Sequence, residues 1–163
     1  MSDYIWSLAS LMGDPTLWVI LSGLLVLAYF FVRKKFPKNK NYMKAFLLVL
    51  IPSLTASLLV TLAIKSLFFV PRPCIDLQFC LTDSSFPSGH AVTSFTVFTS
   101  LFLVFRKKKI LPIFVIPALV AVSRLILGVH TVFDLLGGFL IGVLIPLFIY
   151  RIEKYRLKSI KSL

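Results

Sequence analysis

Five apolar runs, set apart by clusters of lysine and arginine, constrain this chain more than any other feature. The runs are residues 16–32, 45–64, 90–105, 110–123 and 131–150, and Asp134 is the one Asp, Glu, Lys or Arg among them. About 20 apolar residues in a helix span the ~30 Å hydrocarbon core of a bilayer. In that medium a helix satisfies its own backbone polar groups. Mean hydropathy is +0.95 and only 15% of residues are charged, so a soluble globule of this size would expose too much apolar surface. The pattern predicts an all-α, polytopic helical membrane protein with about five transmembrane helices and a short N-terminal interfacial helix.

The formal charge of +12 raises nucleic acid as a partner, but its distribution argues against one. All of the 18 basic residues except Lys65, Arg72 and Arg124 fall into three clusters, at 33–44, 106–109 and 151–161. Each abuts an apolar run, as the positive-inside rule expects of cytoplasmic segments. The amino terminus is then outside and the carboxyl terminus inside. Attraction to anionic lipids at the cytoplasmic face is a secondary effect of the clusters. The location implied is the plasma (cytoplasmic) membrane, crossed several times. At 163 residues the chain reads as one domain: an interfacial helix over 1–15, a transmembrane core over 16–150 and a basic cytoplasmic tail over 151–163. The acidic start, Met1-Ser2-Asp3, lacks the basic region of a signal peptide.

In residues 3–12, Ile5, Leu8, Leu11 and Met12 fall at helical spacing, which suits a helix lying in the interface. Gly13-Asp14-Pro15 ends it. Trp6 and Trp18 suit the outer headgroup belt, and Tyr42 the inner one. After the second run, residues 66–87 form an outer loop in which Pro71 and Pro73 hold Arg72 in extended backbone. Cys74 and Cys80 share this loop, and a disulfide or two free thiols are equally open. Thr93, Thr96 and Ser100 form a small polar stripe, read as interhelical hydrogen bonding. The 14 residues 110–123 would rise only about 21 Å as α-helix, so the helix runs on toward Leu127 or Arg124 lies below the outer interface. Gly138 and Gly142 form a GxxxG close-packing pattern, and Pro146 is a kink candidate.

This topology gathers every unclustered cation and both histidines at the outer ends of the spans. Lys65 and Arg72 follow the second, Ser88-Gly89-His90 opens the third, Arg124 closes the fourth, and His130 and Asp134 open the fifth. Each has a plainer role open to it: Lys65 snorkelling, Ser88 a helix cap, His90 an interfacial histidine, His130 an ion pair at a helix end. Together they suit phosphate chemistry. Three cations match a phosphoryl dianion, and arginine adds planar bidentate donors. A helix starting at Ser88-Gly89 offers backbone amides and a positive dipole end to an anion. If the chain is helical from Val129, His130 and Asp134 sit at i and i+4 on one face. The carboxylate can then hold one imidazole nitrogen and leave the other free to attack.

Lys65-(six residues)-Arg72-Pro73, Pro87-Ser88-Gly89-His90 and Ser123-Arg124-(three)-Gly128-Val129-His130-(three)-Asp134 resemble, in order and spacing, the three motifs of the type 2 phosphatidic acid phosphatase superfamily. The resemblance covers residues 65–134 by motif. It implies a metal-independent phosphatase in which His130 is the nucleophile, forming a phosphohistidine, Asp134 orients it and His90 protonates the leaving oxygen. Lys65, Arg72, Ser88, the Gly89 amide and Arg124 would bind phosphate. It implies no cofactor and no metal, and the sequence offers no carboxylate cluster to hold one. Many membrane members have six spans, where five plus an interfacial helix are counted here.

Three functions follow from this reading. The first is a lipid phosphate phosphatase, vanadate-inhibited, with its active site facing outside. Its substrate would be a polyprenyl diphosphate, phosphatidylglycerophosphate, phosphatidate or a lipid A phosphate. The second is a phosphatase or phosphotransferase for soluble phosphoesters. The third is a transporter or scaffold that binds phosphate without turnover, for which a paired His130 and Asp134 would be superfluous. Sequence does not choose the lipid, because apolar pocket walls look alike, nor does it give the oligomeric state.

Overall fold

The computed structural model describes residues 2–35, 40–73, 82–105 and 108–161. Cys74 and Cys80 lie outside them, and with them the question of a disulfide. The elements are α1 (Ser2–Leu11), α2 (Pro15–Lys35), α3 (Lys40–Leu67), α4 (Gly89–Phe105), a 3₁₀ stretch (Lys108–Phe114), α5 (Val115–Ile126) and α6 (Val132–Lys161). The described residues form a helical membrane fold without strands. Two helices are long and apolar enough to cross a bilayer by themselves, Asn41–Leu67 within α3 and Val132–Lys154 within α6. Tyr4–Leu11 and Pro15–Phe31 make a further candidate if counted as one span bent by 42°. Gly89–Phe105 and Ile110–Ile126, where sequence placed two more crossings, are apolar but shorter.

α4 is the axis of the bundle. It packs against α6, α3, α5 and α2, and every residue from Ala91 to Ser100 is buried. Its polar stripe divides two ways. Thr96 Oγ1 meets Ser57 Oγ of α3 at 3.1 Å, the interhelical bond expected. Thr93 and Ser100 instead donate back to carbonyls one turn earlier in α4, at 2.9 and 2.7 Å. Exposed Leu24, Leu59 and Phe148 belong to an outward apolar surface of the kind that lipid covers.

Glycine lets α6 lie directly on α4. A Cβ at Gly138 would stand 2.7 Å from Ala91 Cβ and 2.9 Å from Ser88 O; one at Gly142 would stand 2.6 Å from Phe95 Cβ. The GxxxG pattern is thus a packing seam, and it sets the start of α6 beside the start of α4. There the backbone Ser88 N–H donates to Asp134 O at 3.0 Å.

The ends of the helices follow local rules. Asp14 caps α2, its Oδ1 accepting the Thr16 and Leu17 amides at 2.7 and 3.1 Å, with Pro15 at the first helical position. α1 is helical as expected, and it packs against α5. Trp18, assigned to the headgroup belt, donates its indole N–H to Met12 O at 2.6 Å and packs edge-on against Phe98. The stretch expected as one helix over 110–123 opens as 3₁₀ around Pro112 and continues to Ile126. Because 3₁₀ rises about 2.0 Å per residue against 1.5 Å, 108–126 reaches roughly 32 Å. Arg124 therefore stands in the last turn of α5. Gly128, at φ 65°, turns the chain toward α6 in a backbone region that suits glycine.

Candidate active site

His130 does not lie on a helix. The helix expected from Val129 begins at Val132, and His130 occupies the turn before it. The reason is a reciprocal cap. The Thr131 N–H donates to Asp134 Oδ2 at 2.7 Å, and Thr131 Oγ1 accepts the Asp134 N–H at 3.3 Å. The pair the sequence proposed still meets, with His130 Nδ1 3.5 Å from Asp134 Oδ2. That is too long for a good direct hydrogen bond.

Ser85 fills the gap. Its hydroxyl donates to Asp134 Oδ2 at 2.6 Å and stands 3.2 Å from His130 Nδ1. With its one proton on the carboxylate, the hydroxyl oxygen is left to accept from Nδ1–H. On the other side of the ring, Arg72 Nη1 lies 3.1 Å from His130 Nε2. A guanidinium only donates, so Nε2 presents its lone pair. Two independent neighbours thus select the same neutral tautomer, protonated on Nδ1. Burial pushes the His130 pKa below its usual value; the Arg72 and Arg124 charges push it the same way, and Asp134 only partly opposes them. Sequence reasoning passed over Ser85 as part of an irregular stretch. No spacing rule singles it out, because the loop that carries it is brought to His130 only by the fold.

The cations gather around this ring. Arg72 also donates from Nη1 to Val129 O at 3.2 Å, which ties the 68–73 segment to the His130 turn. Its opposite edge and the Lys65 ammonium both engage Asp83, Lys65 at 2.6 Å. Arg124 is buried, donates from Nη1 to Ser10 Oγ at 2.7 Å, and has no partner for Nε. Ser10 belongs to α1, so the first helix contributes to the site, which the sequence reading did not foresee. Ser88 precedes α4 and its carbonyl accepts the Val92 amide at 2.9 Å, but its hydroxyl caps nothing. The Ser88 Oγ is fully buried and unpartnered. Buried donors without partners are costly, and Ser88 Oγ and Arg124 Nε are two such donors among the described residues. Gly89 and His90 open α4 at the same end of the bundle, and Gly13 packs against the His90 backbone.

Among the described residues no three His, Cys, Asp or Glu side chains stand together as a metal site would require. The arrangement offers one neutral, buried imidazole whose Nε2 lone pair meets Arg72 Nη1, with a carboxylate on its Nδ1 side.

A family model described as the PAP2 superfamily matches residues 46–158. Phosphatidylglycerophosphatase B of Bacillus subtilis (strain 168) is 42% identical over 71 residues, covering 37% of this chain and 35% of that protein. The match therefore spans about a third of that relative. A crystal structure described as the first transmembrane PAP2 type phosphatidylglycerolphosphate phosphatase, from Bacillus subtilis, superimposes with a TM-score of 0.75 at 26% identity, covering 94% of this chain and 77% of that one. The crystal structure of Aquifex aeolicus LpxE gives a TM-score of 0.71 at 27% identity, covering 91% and 85%.

Proposed function

The chain belongs to the PAP2 superfamily, and on that premise we propose that it is a membrane phosphatase of lipid phosphates with His130 as its nucleophile. One observation carries the reading: Ser85 and Arg72, from two sides, hold His130 as the Nδ1–H tautomer with Nε2 toward the cations. In the reaction Nε2 attacks phosphorus and the ester bond to the leaving oxygen breaks. Arg72 Nη1 shifts from Nε2 to a phosphoryl oxygen. Lys65, Ser88 Oγ, the Gly89 amide and Arg124 Nε take the others, and the growing negative charge meets donors already in place. Asp134, through Ser85, offsets the positive charge that develops on the imidazole. His90, protonated once the phosphate dianion is bound beside it, gives that proton to the leaving oxygen, then takes one from the water that cleaves the phosphohistidine.

A lipid substrate fits the placement of the site at one end of an apolar bundle, where a headgroup would sit while its chains stay in bilayer. The basic clusters belong to the opposite ends of the helices, which supports an active site facing outside the plasma membrane. Five crossings with the amino terminus outside follow from the same clusters. An impermeant reagent that reached a cysteine introduced at position 108 from outside would contradict this orientation. Phosphatidylglycerophosphate is the first substrate to test, because both Bacillus subtilis relatives are named as its phosphatases.

The experiment is phosphate release by purified protein across phosphatidylglycerophosphate, phosphatidate, polyprenyl diphosphate, lipid A phosphate and a soluble aryl phosphate, followed by trapping of phosphohistidine. The expected result is turnover of a lipid, trapped phosphate on His130, and none in His130→Ala. Turnover of the soluble ester alone would replace the lipid reading with the soluble one. Vanadate binding without turnover of any substrate would favour a phosphate-binding protein. Phosphate trapped on His90 would overturn the assignment of roles.

A further inference from the structure

Lys65 and Arg72 come from different segments, the end of α3 and the extended stretch after it, yet they share one carboxylate. Asp83 Oδ2 accepts from Lys65 Nζ at 2.6 Å. Its Oδ1 accepts from Arg72 Nη2 at 2.5 Å and from Nε at 3.2 Å, and its backbone carbonyl accepts from Nε at 3.3 Å. Lys65 also donates to Ser84 O. Asp83 lies outside the three motifs and outside every role assigned so far.

The donors decide what this carboxylate does. An ammonium has three N–H groups and a guanidinium five. Asp83 and Ser84 O take two from Lys65, which leaves one. On Arg72, Asp83 takes the Nε and Nη2 edge. The Nη1 edge is left toward Val129 O and His130 Nε2, at 3.2 and 3.1 Å. The Asp83 side chain is 50% exposed, against 15% for Lys65 and 4% for Arg72. It therefore stands on the solvent side of the two cations, while the Nη1 edge of Arg72 faces His130. Without an anion between them, two cations this close would repel and turn apart.

We infer that Asp83 is a positioning residue, which clamps Lys65 and Arg72 from behind so that one donor from each is preset for a phosphoryl oxygen. This rests on the phosphate-site reading above. The opposite role would be a placeholder: a carboxylate sitting where phosphate binds and displaced by it. The two roles differ in sign. Removing a clamp weakens anion binding, and removing a placeholder strengthens it. Burial tends to raise the Asp83 pKa, but hydrogen bonds and charge from Lys65 and Arg72 prevail and hold it below the usual carboxylate range. The clamp thus stays ionised wherever phosphate is a dianion.

The test is titration of inorganic vanadate onto the purified full chain in detergent, with steady-state kinetics on whichever lipid phosphate the wild type hydrolyses. Asp83→Asn should weaken vanadate about 10- to 100-fold, the range set by a lost hydrogen bond to a charged group. It should raise KM more than it lowers kcat. Asp83→Glu should recover most of the affinity, since an exposed carboxylate tolerates one more methylene. Asp83→Ser repeats the removal should the amide variant fail to fold. Vanadate held equally or more tightly by Asp83→Asn, or a glutamate no better than asparagine, would overturn the inference. A wild type that binds no vanadate would instead overturn the phosphate site itself, and the clamp with it.

Discussion

Ser85→Ala tests whether the hydroxyl between His130 and Asp134 orients the nucleophile. The change removes a charge-assisted hydrogen bond to Asp134 at 2.6 Å and a weaker one from Nδ1 at 3.2 Å. Hydrogen bonds to charged groups are worth roughly 1.5–3 kcal/mol and neutral ones about 0.5–1.5 kcal/mol. Part of that returns. Nδ1 and Oδ2 already stand 3.5 Å apart, and a shift of about 0.7 Å would join them directly at normal length. Asp134 also keeps the Thr131 amide at 2.7 Å. A net loss of about 1–2 kcal/mol in transition-state stabilisation remains, or roughly 5- to 30-fold in kcat. KM should barely move, since Lys65, Arg72, Ser88 and Arg124 are untouched. Asp134→Asn should cost far more, because it removes the charge that opposes the imidazolium. The assay is rapid acid quench of the phosphoenzyme beside steady-state kinetics. Wild-type kcat in Ser85→Ala would refute the reasoning. So would a loss as deep as that of His130→Ala, which would give Ser85 a reacting role.

Two further outcomes follow from the packing and the burial. Gly138→Ala places a methyl 2.7 Å from Ala91 Cβ and 2.9 Å from Ser88 O. Overpacking of this kind costs about 1–3 kcal/mol, so the unfolding midpoint in detergent should fall. Activity should fall with it, because Ser88 and Asp134 are pushed apart; an unchanged midpoint would show that the seam yields. His130 has a folded pKa below its unfolded value near 6.5, so the unfolded chain binds protons that the folded chain excludes. Stability should therefore fall as pH drops below about 6.5, and His130→Gln should flatten the slope; a parallel profile in the variant would place the titration elsewhere.

Hydrophobic runs, basic clusters and the three motifs were legible in the sequence because each depends on residue type and on spacing along the chain. The apolar runs required helices whatever their partners, and Gly138 and Gly142 marked a close seam before any contact was known. The motifs named the residues that the fold brings to one end of the bundle. What spacing could not supply was the geometry between segments. His130 and Asp134 read as neighbours on one helical face, but the Thr131 cap starts the helix after His130 and opens a gap that a serine 45 residues away fills. Ser10 reaches Arg124 across 114 residues, and Asp83 joins two cations that sequence treated as independent. Serine and aspartate in loops are ordinary turn residues, so nothing local distinguishes these. Their partners are fixed only when α4, α5 and α6 pack, because a hydrogen bond depends on tenths of an ångström between groups that the chain alone leaves free to wander.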